Sequence, residues 1–310
     1  MDEEGAFDQP VPRQLVHRSA NSEVFLTQSR PLGGDSFAIA AQWPRSHSFF
    51  VRARDRRYDP MLVAETLRQA GLLIAHREFG VPLGRRFLMH TLRYEISERG
   101  LRIGDAPAAV TGKVTCHEIK RRRTTVVGMR LVVDFFCDGQ YLGWGETAFE
   151  CVSPTVYARL RVRDLQCAWS ASAGEPLPAP VASSLVGRDR DDDVVLSPSE
   201  RPDAWYLCVD RRHPVLFDHP VDHLPGMAVL EGLRQAAQLV VGDGSATPLT
   251  CATEFRGYVE FDRPCLISAR VTDTSTGQRP VVQATAEQDG QEAVTAKLLM
   301  HTADCQVGSA

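Results

Sequence analysis

Several things are missing from this 310-residue sequence, and each absence removes a class of function. No apolar run reaches the roughly 18 residues that a helix needs to span a bilayer. No basic excess exists: 35 Lys and Arg stand against 39 Asp and Glu, for a net charge of −4, so the field that nucleic-acid binding exploits is absent. The eight cysteines, at 116, 137, 151, 167, 208, 251, 265 and 305, form no C-x-x-C pair, which argues against a zinc or redox site. Most lie in apolar, strand-like runs, so free buried thiols in a reducing cytosol are expected. The first ten residues are acidic and polar and lack the pattern of a secretory signal. The expectation is a cytoplasmic protein with no metal, no bound cofactor, and neither nucleic acid nor membrane as a partner.

What is present is ordinary in bulk, 43% hydrophobic and 24% charged, and long enough for two cores. The informative feature is a repeat. Glu65-Thr66-Leu67-Arg68-Gln69-Ala70 recurs 166 residues later as Glu231-Gly232-Leu233-Arg234-Gln235-Ala236. The same register carries Arg45 onto Arg211, His47 onto His213 and Met61 onto Met227.

The surroundings repeat as well. A strand-like run precedes each motif, at 36–43 and 205–209. Alternating apolar and polar runs follow, at 87–97, 108–118, 124–137 and 141–151, and again at 252–261, 265–272, 280–288 and 292–301. Asp138-Gly139 and Asp289-Gly290 are hairpin turns by composition. The motifs themselves read as helices. Residues 59–79 open on Asp59-Pro60, an N-cap followed by proline at the first helical position, and stop at Gly80; residues 225–241 stop at Gly242.

Each half is therefore expected to be one long central helix wrapped by a curled antiparallel sheet, the α+β hotdog fold. Two such halves in tandem form a double hotdog packed as a pseudo-dimer. The expected domains are 1–165 and 201–310, joined by a linker over 166–200 that is rich in Ala, Ser, Gly, Pro and charge. Arg159, Arg161 and Arg163 read as a solvated basic face.

Glu, Arg and Gln at i, i+3 and i+4 share one face of an otherwise apolar helix. One reading is a structural ion pair; the other is a polar cluster tuned for general base work. In the second half, Asp218-His219-Pro220 leads through Pro225-Gly226-Met227 to Glu231, five residues after the glycine. This resembles the hotdog dehydratases, in which a His-x-Pro segment and a Pro-Gly turn precede a catalytic acid. The spacing from His219 to Pro225 is shorter here, so His219 or His223 caps the helix, faces solvent or acts on substrate. The N–H groups near Gly226 and Met227 are candidates to polarise a thioester carbonyl.

The segments 41–50, 65–70 with His76, Gly80-Val81-Pro82, 151–157 and 218–237 resemble the A-factor biosynthesis (AfsA-like) hotdog family, over about residues 15–301. The resemblance implies an acyltransferase that joins a β-ketoacyl thioester to a hydroxyl of dihydroxyacetone phosphate. Ring closure to a phosphorylated butenolide would follow, on the way to a γ-butyrolactone-type signal. It implies catalytic roles for Glu65, Glu231 and Arg234. A mechanism consistent with it has Glu231 as the base and Arg234 and Arg68 on the phosphate. Gln69 and Gln235 would orient acyl carbonyls, with Arg45 and His47 as further phosphate contacts. The basic cluster Lys120-Arg121-Arg122-Arg123 is either an ordinary turn or a docking patch for an acyl carrier protein. Other readings are a dehydratase or thioesterase, or an acyl- or lactone-binding regulator without catalysis; a monomeric double hotdog and a homodimer are both compatible.

Overall fold

The structure is a computed structural model that describes residues 5–166, 178–273 and 279–302. In chain order the elements are β1 (Leu26–Gly33), β2 (Ser36–Trp43), β3 (Val51–Arg52), β4 (Arg57–Tyr58), α1 (Met61–Leu73), β5 (Arg86–Ile96), β6 (Ala108–Arg122), β7 (Thr125–Cys137), β8 (Gln140–Val152) and α2 (Pro154–Gln166). They continue with β9 (Leu196–Pro198), β10 (Ala204–Leu207), α3 (Gly226–Val241), β11 (Thr247–Phe255), β12 (Leu266–Asp273), β13 (Val281–Gln288) and β14 (Gln291–His301). Most strand and helix expectations are met closely, with β2 matching to the residue, but the run expected at 252–261 is instead β11, Thr247–Phe255.

The chain divides into two compact units. The first takes the residues up to Arg45, Leu62–Leu92, and Ile103 through α2; the second takes Ser46–Met61, Arg93–Arg102 and the C-terminal part from 178 onward. These units differ from the expected boundaries 1–165 and 201–310 in where the segments Ser46–Met61 and Arg93–Arg102 fall. Two N-terminal segments belong to the second unit because their side chains satisfy its interior, as Asp59 and Tyr94 show below. The expected linker is shortened too. Its stretch 183–198 is folded, with 3-10 turns at Ser183–Val186 and Asp191–Asp193 and the strand β9. Residues 167–177, with Cys167, and also Cys305, lie outside the described residues.

In the first unit the antiparallel order is β1-β2-β6-β7-β8, continued by the start of β5. Alternate residues of β7 and β8 are buried, as period-2 patterning requires. The sheet closes on α1: a Cβ at Gly145 on β8 would touch Leu67, one at Gly71 would touch Phe149, and Trp43 Nε1 donates to Thr66 Oγ1 at 3.0 Å. Asp59 caps α1 by accepting from Met61 N at 2.9 Å, and a π-helical turn, Ile74–Glu78, ends it before Gly80.

In the second unit the order is β11-β14-β13-β12-β10-β9, and α3 packs on it with Gly232 pressed against Leu207 and Ile267. Every residue from Met227 to Gln238 is buried. Gly242, at φ 74°, donates its N–H to Gln238 and Leu239 oxygens and stops the helix. Both Asp-Gly turns have positive φ at each central residue (47° and 77°; 53° and 72°), the geometry that suits a two-residue hairpin.

The six described cysteines are free, and five are buried. Arg161, read as part of a solvated face, is buried on α2; Arg159 is exposed, and the side chain of Arg163 lies outside the described residues. Among the described residues no helix is long and apolar enough to cross a membrane.

Candidate functional site

Each repeated motif becomes a buried ionic cluster. In the second unit Glu231 is fully buried. Its Oε1 accepts from Arg188 Nε at 2.9 Å, Arg234 Nη2 at 2.6 Å and Gln235 Nε2 at 2.6 Å. Its Oε2 accepts from Arg234 Nε at 2.8 Å and lies 2.6 Å from Arg188 Nη2. Arg188 also donates to Phe49 O at 2.7 Å and lies over the Phe49 ring, 3.8 Å from its centroid. A second carboxylate, Asp59, stands 3.6 Å from Arg188 and 4.0 Å from Arg234. Gln238 accepts from Arg234 Nη1 at 2.9 Å and gives its own N–H groups to Gly244 and Ala246 oxygens. Two carboxylates thus face two guanidiniums with nearly all lone pairs and protons used, the condition under which buried charge is tolerated.

In the first unit Glu65 is also fully buried. Its Oε1 accepts from Arg68 Nη2 at 2.8 Å, Gln69 Nε2 at 2.6 Å and Arg18 Nε at 3.0 Å, and lies 2.7 Å from Arg18 Nη2; Oε2 accepts from Arg68 Nε at 2.8 Å. Arg68 Nη2 reaches Val16 O at 3.3 Å, just as Arg234 Nη2 reaches Val186 O at 3.3 Å.

Burial alone would raise the carboxyl of Glu231; the charges of Arg188 and Arg234 and their hydrogen bonds outweigh it and pull the pKa down to about 2. At Glu65, burial is likewise outweighed by Arg18 and Arg68, and its pKa is also about 2. Burial pushes Arg234 down, but Glu231 and Asp59 more than reverse this and hold it above its ordinary value. A carboxylate so far below neutral, with its lone pairs saturated, accepts a proton poorly. This geometry does not favour the role of base expected of Glu231.

The glutamines are equally committed. Gln69 donates to Glu23 O at 2.7 Å and accepts from Phe25 N at 3.1 Å; Gln235 donates to Asp193 O at 2.8 Å and accepts from Val195 N at 3.0 Å. Each pins its helix to the segment that leads into β1 or β9, which leaves neither glutamine amide to orient an acyl carbonyl. His47 accepts from Phe49 N and Phe50 N, at 3.1 and 3.2 Å, on Nδ1. Its repeat partner His213 does the same for Val215 N and Leu216 N, at 3.2 and 3.0 Å. Both histidines hold a turn. Arg45 is exposed. His219, 40% exposed, has Nδ1 3.4 Å from the buried Asp218. Gly226 and Met227 open α3, where no side chain caps the helix, and a Cβ at Gly226 would press on Phe255 at 3.2 Å.

The structure adds groups that sequence reading missed: Arg18, Arg188, Asp59 as a cluster member, and Tyr94. Burial raises the Tyr94 hydroxyl well above its usual range, reinforced by Cys251 and Asp59, so it is a neutral donor, to Pro248 O at 3.3 Å. It also adds a histidine pair. His76 Nδ1 lies 2.7 Å from Val81 O, so that nitrogen carries the proton, and His76 Nε2 accepts from His17 Nε2 at 2.9 Å. Burial lowers the pKa of His76, partly opposed by that backbone bond. Among the described residues no group of three or more His, Cys, Asp or Glu is arranged to hold a metal.

The two units with helix-bearing antiparallel sheets define a double-hotdog protein. Solved structures share this fold. A putative oleoyl thioesterase from Lactobacillus plantarum matches at TM-score 0.54 and 11% identity over 87% of this chain and 98% of its own. A 12:0-ACP thioesterase from Umbellularia californica matches at 0.52 and 12%, over 88% and 99%.

The profile of the A-factor biosynthesis hotdog domain matches residues 2–153 and 169–304, and the chain belongs to that family. It is similar to a 2-oxo-3-(phosphooxy)propyl 3-oxoalkanoate synthase from Streptomyces virginiae, at 46% identity over 90% of this chain and 93% of the relative. A protein of the same name from Streptomyces coelicolor is 40% identical over 91% and 88%.

Proposed function

We propose that this chain is an acyltransferase that makes a 2-oxo-3-(phosphooxy)propyl 3-oxoalkanoate. A hydroxyl oxygen of dihydroxyacetone phosphate attacks the carbonyl carbon of a 3-oxoacyl thioester. The C–O bond forms, the C–S bond breaks, and the hydroxyl proton ends on the released thiol. The carrying observation is the near full-length similarity to synthases of that name, 46% in one case. The intact Glu65-Arg68-Gln69 cluster fits the reading, because a phosphate needs a fixed cationic donor and Arg68 is partly exposed. In the ester product the acidic carbon between its two carbonyls can attack the ketone of the three-carbon unit and lose water, giving a phosphorylated butenolide. The expected pathway is γ-butyrolactone-type signalling in the cytoplasm.

In this reading Glu65 and Glu231 are positioning residues. They fix the guanidiniums of Arg68 and Arg234, and Gln69 and Gln235 fix the glutamates in turn. The first-turn N–H groups of α3, at Gly226 and Met227, face the incoming thioester oxygen, with His219 at the rim. His47 and Arg45 contribute through the turn after β2 rather than through the phosphate. The exposed hairpin tip Lys120–Arg123 receives an acidic acyl carrier protein as donor.

Thiol release from a 3-oxoacyl thioester, with and without dihydroxyacetone phosphate, tests the reading. Release that depends on the sugar phosphate and yields the ester mass supports it. Release that ignores the sugar phosphate points to a thioesterase, and no release despite thioester binding points to a regulator.

A further inference from the structure

The repeated arginine and glutamine make matching hydrogen bonds to their glutamate in the two clusters, and the arginines differ at one nitrogen. Arg68 and Arg234 each give Nε and Nη2 to their glutamate and Nη2 to the carbonyl of a valine, Val16 or Val186. Arg234 Nη1 is then taken by Gln238 at 2.9 Å, with Asp59 4.0 Å away. In the repeat register Gln238 corresponds to Leu72 and Asp59 to Pro225, neither of which can accept a hydrogen bond from a guanidinium through its side chain. Arg68 Nη1 accordingly has no hydrogen-bond partner among the described residues. The Arg68 side chain is 18% exposed, against 2% for Arg234. The same guanidinium, held by the same two anchors, is sealed in one repeat and open in the other.

We infer that Arg68, through Nη1, binds the phosphate of the acyl acceptor, and that Arg234 is closed to ligands. This rests on the acyl-transfer reading above and narrows it: of the two arginines expected on the phosphate, one is available. Glu65 holds Arg68 by Nε and Nη2 and so aims the remaining N–H groups in advance, which lowers the ordering penalty of binding a dianion. Charge-assisted bonds from a pre-aimed guanidinium to phosphate are among the strongest polar contacts, and they discriminate against a neutral analogue that lacks the phosphate.

The test compares dihydroxyacetone phosphate with dihydroxyacetone as acceptor in wild type, Arg68→Met and Leu72→Gln. The second variant keeps the Arg68–Glu65 pair and supplies Nη1 with an internal acceptor as Gln238 does for Arg234. Wild type is expected to prefer the phosphorylated acceptor strongly. In both variants the KM for it should rise roughly 10- to 100-fold, while kcat/KM for dihydroxyacetone changes little. A purely structural role would depress both acceptors together. Wild type that prefers the phosphorylated acceptor, alongside variants that prefer it as strongly or lose both acceptors equally, overturns the Arg68 assignment alone. Wild type whose thiol release is indifferent to either acceptor overturns the acyl-transfer reading as well.

Discussion

The first and second repeats carry the same motif and put it to different uses. Around Glu231 the charges are matched, two carboxylates to two guanidiniums, and Gln238 closes the last donor of Arg234. Around Glu65 the same arginine keeps one donor open. Next to it, His17 and His76 pair at 2.9 Å where the second repeat has Gly187 and Gly242. Gly187, at φ 62°, has no room for a side chain: a Cβ would run into the Gly244 carbonyl and lie 2.8 Å from Gln238 Nε2. Duplication supplied two equivalent cores. Differences at a few positions around them seal the arginine in one and leave it partly exposed, beside a histidine pair, in the other.

Variants that unbalance the sealed cluster should have the largest effect. Arg188→Met leaves Glu231 with Arg234 as its single cation in a fully buried site, and thermal or urea unfolding should show a loss of about 3–5 kcal/mol. Arg68→Met removes a partly exposed arginine and should be milder, about 1–2 kcal/mol. Equal losses would break the comparison.

Acid should act on both clusters alike. Each glutamate falls from an ordinary 4.5 to about 2 on folding, so its contribution is complete above about 4.5 and is lost as pH falls towards 2. The loss should be roughly 3 kcal/mol for each glutamate, and Glu65→Gln with Glu231→Gln should flatten stability between those pH values. A double variant that keeps the wild-type slope would show that other carboxylates govern acid unfolding.

Gly187→Ala should destabilise by about 2–3 kcal/mol, because strain at positive φ adds to a backbone clash, whereas His17→Ala at the corresponding place should cost about 1 kcal/mol. Gln238→Leu should cost about 1–2 kcal/mol, since it strands Arg234 Nη1 and two carbonyl oxygens; Leu72→Ala lacks that polar component and acts through packing alone. Both comparisons are read from unfolding midpoints.

Much of this architecture was legible in the sequence. The 166-residue register located α1 and α3, and alternation located the strands between Ala108 and Val152 and between Leu266 and His301. The clusters were half legible: Glu, Arg and Gln on one face were visible, but their arginine partners were not. Val16-His17-Arg18 repeats as Val186-Gly187-Arg188 at an offset of 170, not 166, because the hairpin that follows is four residues shorter in the second repeat. A gapless comparison passes over it. The pattern Val-x-Arg, then Glu23-Val24 or Asp193-Val194, was the available clue. Asp59 was legible only as a helix cap, because its second role depends on long-range packing that draws Ser46–Met61 and Arg93–Arg102 into the second unit. The reactivity expected of Glu231 is disfavoured for a physical reason. A buried carboxylate is a good base when desolvation raises its pKa and a poor one when cations lower it, and the unseen Arg188 tips Glu231 to the second.

Calorimetric titration with dihydroxyacetone phosphate, in the absence of thioester, tests most directly whether the repeats have diverged. One equivalent should bind per wild-type chain and none, at the same concentrations, to Leu72→Gln. Two equivalents per chain, or one that persists unchanged in Leu72→Gln, would contradict that divergence.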